Sequence, residues 1–243
     1  MRIEKHKNKI IKFGLLALML SLLSAFQSID SDEPWVTIFN GKDFSGWSIV
    51  GSFGKATIEK GVIITNMVSN TPEHTFIRTN KKYKDFILES DCKVDGNIHS
   101  GFLLRCVKTT DTAKVSLYGY QVKLDPNVRK WSGGVFDDYG KSFKWWYTLA
   151  DDARAREAFK MNEWNHFRME AIGNSIKVWV NDIPTCNLIN SKYSKGYIAL
   201  KIHSLGNNPE REKATVCFKN IRIITKSPKK YARKMNLLPK VID

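Results

Sequence analysis

Cysteine is scarce in this chain, with four in 243 residues, too few for a disulfide-stapled miniprotein. No Cys or His spacing resembles a zinc site, so neither a bound metal nor a cofactor is expected. The one long apolar run, Phe13 to Leu23, is too short to span a bilayer comfortably. Helix signals are few, no segment recurs at a fixed period, and no linker divides the chain. Disorder is excluded by a hydrophobic content of 42% and an aromatic content of 12%.

Positive charge is plentiful, with 39 Lys and Arg against 24 Asp and Glu, for a net +15. Much of it sits at the ends. Arg2, Lys5, Lys7, Lys9 and Lys12 precede the apolar run, and the small and polar stretch from Ser24 to Ser28 follows it. This three-part layout predicts a secretory signal peptide over residues 1–28, with an uncleaved anchor as the alternative. The protein is therefore expected to be exported, periplasmic or secreted, with no stable membrane span once the leader is removed. Residues 226–243 form a basic tail, read as a solvated extension. The leader carries +4 and the tail +5, which leaves +6 on the domain of residues 29–225. That is too little for a strongly basic nucleic-acid surface, and no nucleic-acid partner is expected.

Between the ends the chain alternates. Phe86–Val94, Gly101–Val107, Trp164–Ile172, Ser175–Val180, Gly196–Ile202 and Thr215–Ile224 read as strands. Gly173-Asn174 and Asn181-Asp182 supply hairpin turns. One short helix is expected over Asp151–Phe159. About a dozen short strands separated by turns describe an all-β sandwich, with a jelly roll of two antiparallel sheets as the natural form at this size. Phe86–Val94 and Gly101–Val107 would form a hairpin centred near His99, placing Cys92 opposite Cys106. These two could form a bridge or remain buried thiols.

Several residues stand out as chemistry. In the strand Tyr118–Leu124, Gln121 and Lys123, with Asp125 beyond it, point to one face, while Val122 and Leu124 point to the core. Two of these three positions are not carboxylates, so this strand does not support a standard two-carboxylate glycosidase. Trp131, the paired Gly133-Gly134, and Asp137, Asp138 and Tyr139 follow, and then the loop aromatics around Trp146. Aromatic faces stack on the apolar face of a sugar ring, and neighbouring polar groups take its hydroxyls, so Trp131, Tyr139 and Trp146 are candidates to bind carbohydrate. Arg105 should point away from the core and could hold substrate oxygens or form an ion pair with Glu89 or Asp91. His203, ending a strand, is a candidate general base.

Several segments together resemble a family of 3-keto-disaccharide hydrolase domains, formerly a domain of unknown function. They are Phe39-Asn40-Gly41-Lys42-Asp43-Phe44-Ser45-Gly46-Trp47, Ser100–Arg105, Gly119–Pro126, Trp131–Asp137, Asn162–Asn165, Val180–Asp182 and Phe218–Ile223. The resemblance covers about residues 35 to 225. It implies a concanavalin A-like jelly roll, exported by bacteria of the Bacteroides kind and acting on glycosides already oxidised at C3. A C3 ketone acidifies the C2 proton, so one base can expel the C1 substituent and water can then add back. On this reading Asp125, Asp137 and His203 are catalytic candidates. Arg105, Gln121, Lys123, Trp131, Asp138, Tyr139 and Trp146 would hold the sugar. Relatives commonly carry a glutamate at the place of Lys123. That departure keeps open a second reading, a carbohydrate-binding protein without turnover in a polysaccharide-utilisation system.

Overall fold

The computed structural model describes residues 34–109, 116–137 and 144–242. It is an all-β sandwich, as the alternation predicts. The larger sheet contains β1 (Val36–Thr37), β3 (Lys55–Glu59), β4 (Val62–Asn66), β6 (Phe86–Asp95) and β11 (Asn165–Ile172), followed by β12 (Ser175–Val180), β13 (Ile183–Ile189), β15 (Thr215–Ile224) and β16 (Lys240–Val241). Its strand order is β16-β13-β12-β11-β6-β15-β4-β3, with β1 also paired to β15. The smaller sheet contains β2 (Trp47–Val50), β5 (Thr75–Thr79), β7 (Ser100–Lys108), β8 (Leu117–Leu124), β9 (Val135–Asp137), β10 (Lys144–Tyr147) and β14 (Tyr197–Ile202). Its order is β10-β9-β8-β7-β14-β5-β2. All pairs are antiparallel except β13 with β16.

Local chemistry explains the elements. The β12–β13 turn has positive φ at both Asn181 and Asp182, the pairing a type I′ turn requires and Asn and Asp tolerate. The expected helix shortens to one turn, α1 (Ala153–Arg156), capped by the Asp152 carboxylate accepting from the Ala155 N–H at 2.8 Å. Between the sheets Phe102 meets Phe167 and Phe218 with ring centroids 5.4 and 5.3 Å away. Burying one such ring contributes about 1.5–3 kcal/mol.

The expected hairpin of β6 and β7 does not form. β6 pairs with β11 and β15, whereas β7 pairs with β8 and β14. The connection turns at Gly96, with φ +90°, and carries Ile98 into the core, where it is 1% exposed. A hairpin turn would have left Ile98 in water, so the chain crosses to the other sheet instead. Cys92 then packs between the sheets and Cys106 packs in a separate small cluster, and all four cysteines are free thiols.

The basic tail keeps most of its side chains in water, but its backbone is tied to the larger sheet. The Tyr231 carbonyl accepts from Arg168, the Arg233 N–H donates to Glu170, and the Leu237 carbonyl accepts from Asn187. Beneath it Arg168 lies 2.9 Å from both Glu89 and Glu170, and Arg222 adds a second cation to Glu89. Burial alone would raise the Glu89 pKa, but hydrogen bonds from His166, Arg222 and Arg168 take it down to about 2.

Arg105 is neither paired with Glu89 or Asp91 nor set among the groups of the smaller sheet's outer face. A bulge between Leu104 and Val107 gives Arg105 a φ of +51° and turns its side chain aside. Its guanidinium, 1% exposed, donates to the carbonyls of Lys84, Gly173 and Tyr193 at 2.6, 2.7 and 3.2 Å, and lies 3.1 Å from Asp85. One cation thereby ties a strand of the smaller sheet to the β11–β12 turn of the larger. Arg105→Met leaves these carbonyls without their donor, and a loss of about 3 kcal/mol is expected. Urea unfolding measures it, and a midpoint equal to that of the unaltered protein would refute this role.

Candidate functional site

The register of four strands builds the site. Lys123 of β8 lies opposite Gly101 of β7, Gly101 opposite Lys201 of β14, and Lys201 opposite Phe76 of β5. Side chains return to the same face every second residue. Just past the ends of these strands a neighbouring row reads Asp125, His99, His203, His74, kept adjacent by the approach of His99 to Asp125 and by the ring contacts of His203 with His99 and His74. Two positions the other way the register reads Gln121, Leu103, Ala199, Arg78 and continues through Phe136 of β9 to Trp145 of β10. This face points away from the core, yet Gln121, Asp125, Lys201 and Lys123 are 0%, 2%, 2% and 6% exposed. These groups are therefore shielded from water although they lie outside the core.

The polar groups of this face are held tightly. The Lys201 ammonium donates to Gln121 Oε1 at 3.3 Å, and Gln121 Nε2 donates to the Ser100 carbonyl at 3.3 Å. A Cβ on Gly101 would stand 2.6 Å from the Val122 carbonyl and 3.0 Å from Gln121 Nε2, so only glycine leaves room for this amide between the two lysines.

Hydrogen bonds set the histidine tautomers. His203 Nδ1 lies 2.6 Å from the Ser204 carbonyl, which can only accept, so Nδ1 carries the proton and Nε2 keeps its lone pair. The Ser204 N–H donates to His74 Nδ1 at 2.9 Å, so the proton of His74 is on Nε2. The rings of His74 and His99 lie 4.4 and 5.8 Å from that of His203. Burial, then Lys201 and Lys123, pull the His203 pKa down to about 3. Burial and then Lys123 pull His99 to about 4, and Asp125 opposes them. His74 is lowered further still, by burial and then Lys201. All three imidazoles are neutral near neutral pH, and His203 Nε2 offers an unprotonated base beside two buried ammonium groups.

Asp125 anchors the end of the row. Its carboxylate accepts from Arg129 Nε at 2.5 Å, and its oxygen lies 3.3 Å from His99 Nδ1, off the line a hydrogen bond needs. The Arg129 guanidinium stands 5.2 Å from the Trp131 ring and 5.1 Å from that of Trp145, and Phe136 packs edge-on to Trp145. Trp131, Trp145 and Phe136 are each partly exposed and form an aromatic wall along this face.

Of the residues singled out in the sequence, Gln121, Lys123, Asp125 and His203 meet on this face, with Trp131 at its wall. Trp146 does not join them. The stretch expected to be a loop is strand β10, whose alternation exposes Trp145 and turns Trp146 into the core, 5.2 Å from Tyr120. Asp137 shares the core-facing side of β9 with Val135. There it accepts from Lys192 at 2.6 Å, with the Tyr193 hydroxyl at 3.5 Å. Asp138 and Tyr139 lie outside the described residues. Sequence reasoning missed His74, Lys201 and Arg129, noted Phe136 and Trp145 only among the neighbouring aromatics, and used His99 only as a hairpin centre. The period-two spacing in His74-x-Phe76, His99-x-Gly101 and Lys201-x-His203 carries the signal for three of them. Among the described residues no cluster of His, Cys, Asp or Glu is placed to hold a metal ion, and no helix is long and apolar enough to cross a membrane.

A concanavalin-type sandwich with a shielded row of histidines and lysines beside an aromatic wall defines the class. Residues 34–224 match the 3-keto-alpha-glucoside-1,2-lyase-like domain, and the chain belongs to that family. Among curated proteins none matches the sequence. Among solved structures, a Parabacteroides distasonis protein provisionally assigned as a glycosyl hydrolase is similar with a TM-score of 0.55 at 20% identity, over 79% of this chain and 94% of that one. The kappa-carrageenase of Pseudoalteromonas carrageenovora, solved with an oligotetrasaccharide, gives 0.52 at 13% identity over 82% and 97%. The carbohydrate recognition domain of Emp46p gives 0.53 at 12% over 78% and 94%. At these identities the likeness is one of fold.

Neutral buried histidines leave a mark on acid stability. The folded protein holds His203 and His99 unprotonated down to about pH 3 and 4, while the unfolded chain takes up these protons near 6.5. Unfolding therefore binds protons, and this contribution is fully present above pH 6.5 and lost as pH falls toward 3. His203→Gln is expected to flatten the decline of the urea midpoint between pH 6.5 and 4. An unchanged slope would show that His203 is not held neutral.

Proposed function

We propose that this protein is an exported enzyme that cleaves the glycosidic bond of 3-keto-glycosides by elimination and hydration. The observation that carries this reading is the neutral His203 Nε2 set beside buried Lys201 and Lys123 on one face. In the first step His203 removes the proton from C2 of the sugar. The C–H electron pair enters the C2–C3 bond, and the C3 carbonyl oxygen becomes an enolate oxygen. Lys201 and Lys123 supply positive charge where that oxygen develops. The enolate then re-forms the ketone, the C1–O bond breaks, and its electron pair leaves with the aglycone oxygen. The His203 imidazolium, strongly acidic beside two lysines, returns its proton to that oxygen. Water adds across the C1–C2 double bond and the free 3-keto sugar leaves. The lysines that weaken His203 as a base are the groups that stabilise the enolate, so loss at one step is gain at the next. Gln121 would take a ring hydroxyl, and Trp131 with Trp145 would stack the ring. Asp125 holds Arg129 and would touch no reacting atom.

Lys123 also favours a second reading. It stands where relatives commonly carry a glutamate, and if that acid is the base elsewhere, this chain binds a carbohydrate without turning it over. Purified protein supplied with a 3-keto-glucoside decides between the two. Release of free sugar is expected, with kcat falling at least about 100-fold in His203→Gln, the loss typical of a general base. Binding without release, together with a gain of activity in Lys123→Glu, would establish the binding protein instead.

A further inference from the structure

A recess adjoins the histidine row and plays no part in the chemistry above. It has a volume of about 400 Å³ and lies between residues 125–132 and 156–163, with Asp125 on its lining. The size is that of a small-molecule site. The segment 125–131 divides its side chains between the histidine face and this recess. Arg129 and Trp131 join the aromatic wall of the face, while Pro126 and Val128 line the recess. Val128 is 98% exposed and Met161 is 37% exposed, so two apolar side chains stand open to water at one small recess. Phe159 adds an aromatic edge. Arg156, also on the lining, has its Nε buried with no hydrogen-bond partner among the described residues. A buried guanidinium N–H without an acceptor is costly, and here it sits in the wall of a mostly apolar recess.

We propose that this recess is the aglycone subsite, and that it takes a flat, largely apolar ring bearing an oxygen that accepts from Arg156. The proposal rests on the reading of the histidine face as the sugar site. The reaction there needs the C1 substituent to leave in one direction, and a recess sharing Asp125 with the histidine row is placed to receive it. Val128, Met161 and Phe159 would cover the faces and edge of an aromatic ring. Arg156 would choose rings with a hydroxyl or ether oxygen over bare hydrocarbon.

The test uses the full protein and two unoxidised ligands that cannot react, 4-methoxyphenyl α-glucoside and methyl α-glucoside. NMR reads the Met161 methyl group, assigned with Met161→Leu, and the indole N–H signals of Trp131 and Trp145. Both ligands are expected to move the indole signals. Only the aryl glucoside is expected to move the Met161 methyl, by ring current, and to bind about tenfold more tightly, equivalent to about 1.4 kcal/mol. Val128→Asp and Arg156→Met should each bring the ratio of the two affinities toward one. Shifted indoles with a still Met161 and equal affinities would overturn the subsite and leave the sugar site standing. If Met161 moves while the indoles do not, the recess binds rings independently and the aglycone assignment falls. If neither ligand moves either reporter, the sugar site fails and takes the subsite with it.

Discussion

Everything on the working face depends on one constraint, the pleat. A strand returns its side chains to the same side every second residue, and hydrogen-bonded register aligns those returns across neighbours. Four antiparallel strands in the order β8, β7, β14, β5 therefore write rows of side chains perpendicular to their length. A single slip of register would send Lys201 and His203 into the core and Leu200 and Ile202 outward, so apolar packing inside the sandwich holds the chemistry outside it. Positioning the histidine row requires no dedicated element.

The strand content, the two hairpin turns flanking β12 and the side-chain parity of β8 were all legible in the sequence, because each is a local pattern of period two or a turn dipeptide. Gln121, Lys123 and Asp125 could be named for that reason. The partners they meet could not. His74, His99 and His203 stand at the ends of three different strands that adjoin only through pairings distant in sequence, and a single chain does not display which strands become neighbours. Arg105 was misplaced by a bulge, which reverses parity without any residue type that announces it. The β6–β7 crossover was hidden because a short connection rich in turn residues reads as a hairpin. The separate pairings of β6 and β7, with Ile98 buried between the sheets, show that the chain changes layer.

Charge behaves differently in the two layers. On the larger sheet, Glu89, Glu170, Arg168 and Arg222 neutralise one another and clamp chain segments that would otherwise be loose. On the smaller sheet, burial first and then nearby lysines hold imidazoles unprotonated. The net +15 of the chain describes neither arrangement. The tail's positive charge belongs to a segment packed on the first sheet, and the lysines that bear on the proposed chemistry are two buried ones on the second.

The packed tail has a consequence for the edge it covers. β16 is laid beside β13 at the edge of the larger sheet, and it is only two residues long. Lifting the tail away opens the edge of β13, and it takes from Arg168 and Asn187 the carbonyls of Tyr231 and Leu237. A single cut in the stretch between residues 225 and 240 would therefore do more than shorten the molecule. It would turn a closed border into an adhesive one, ready to pair with a neighbour.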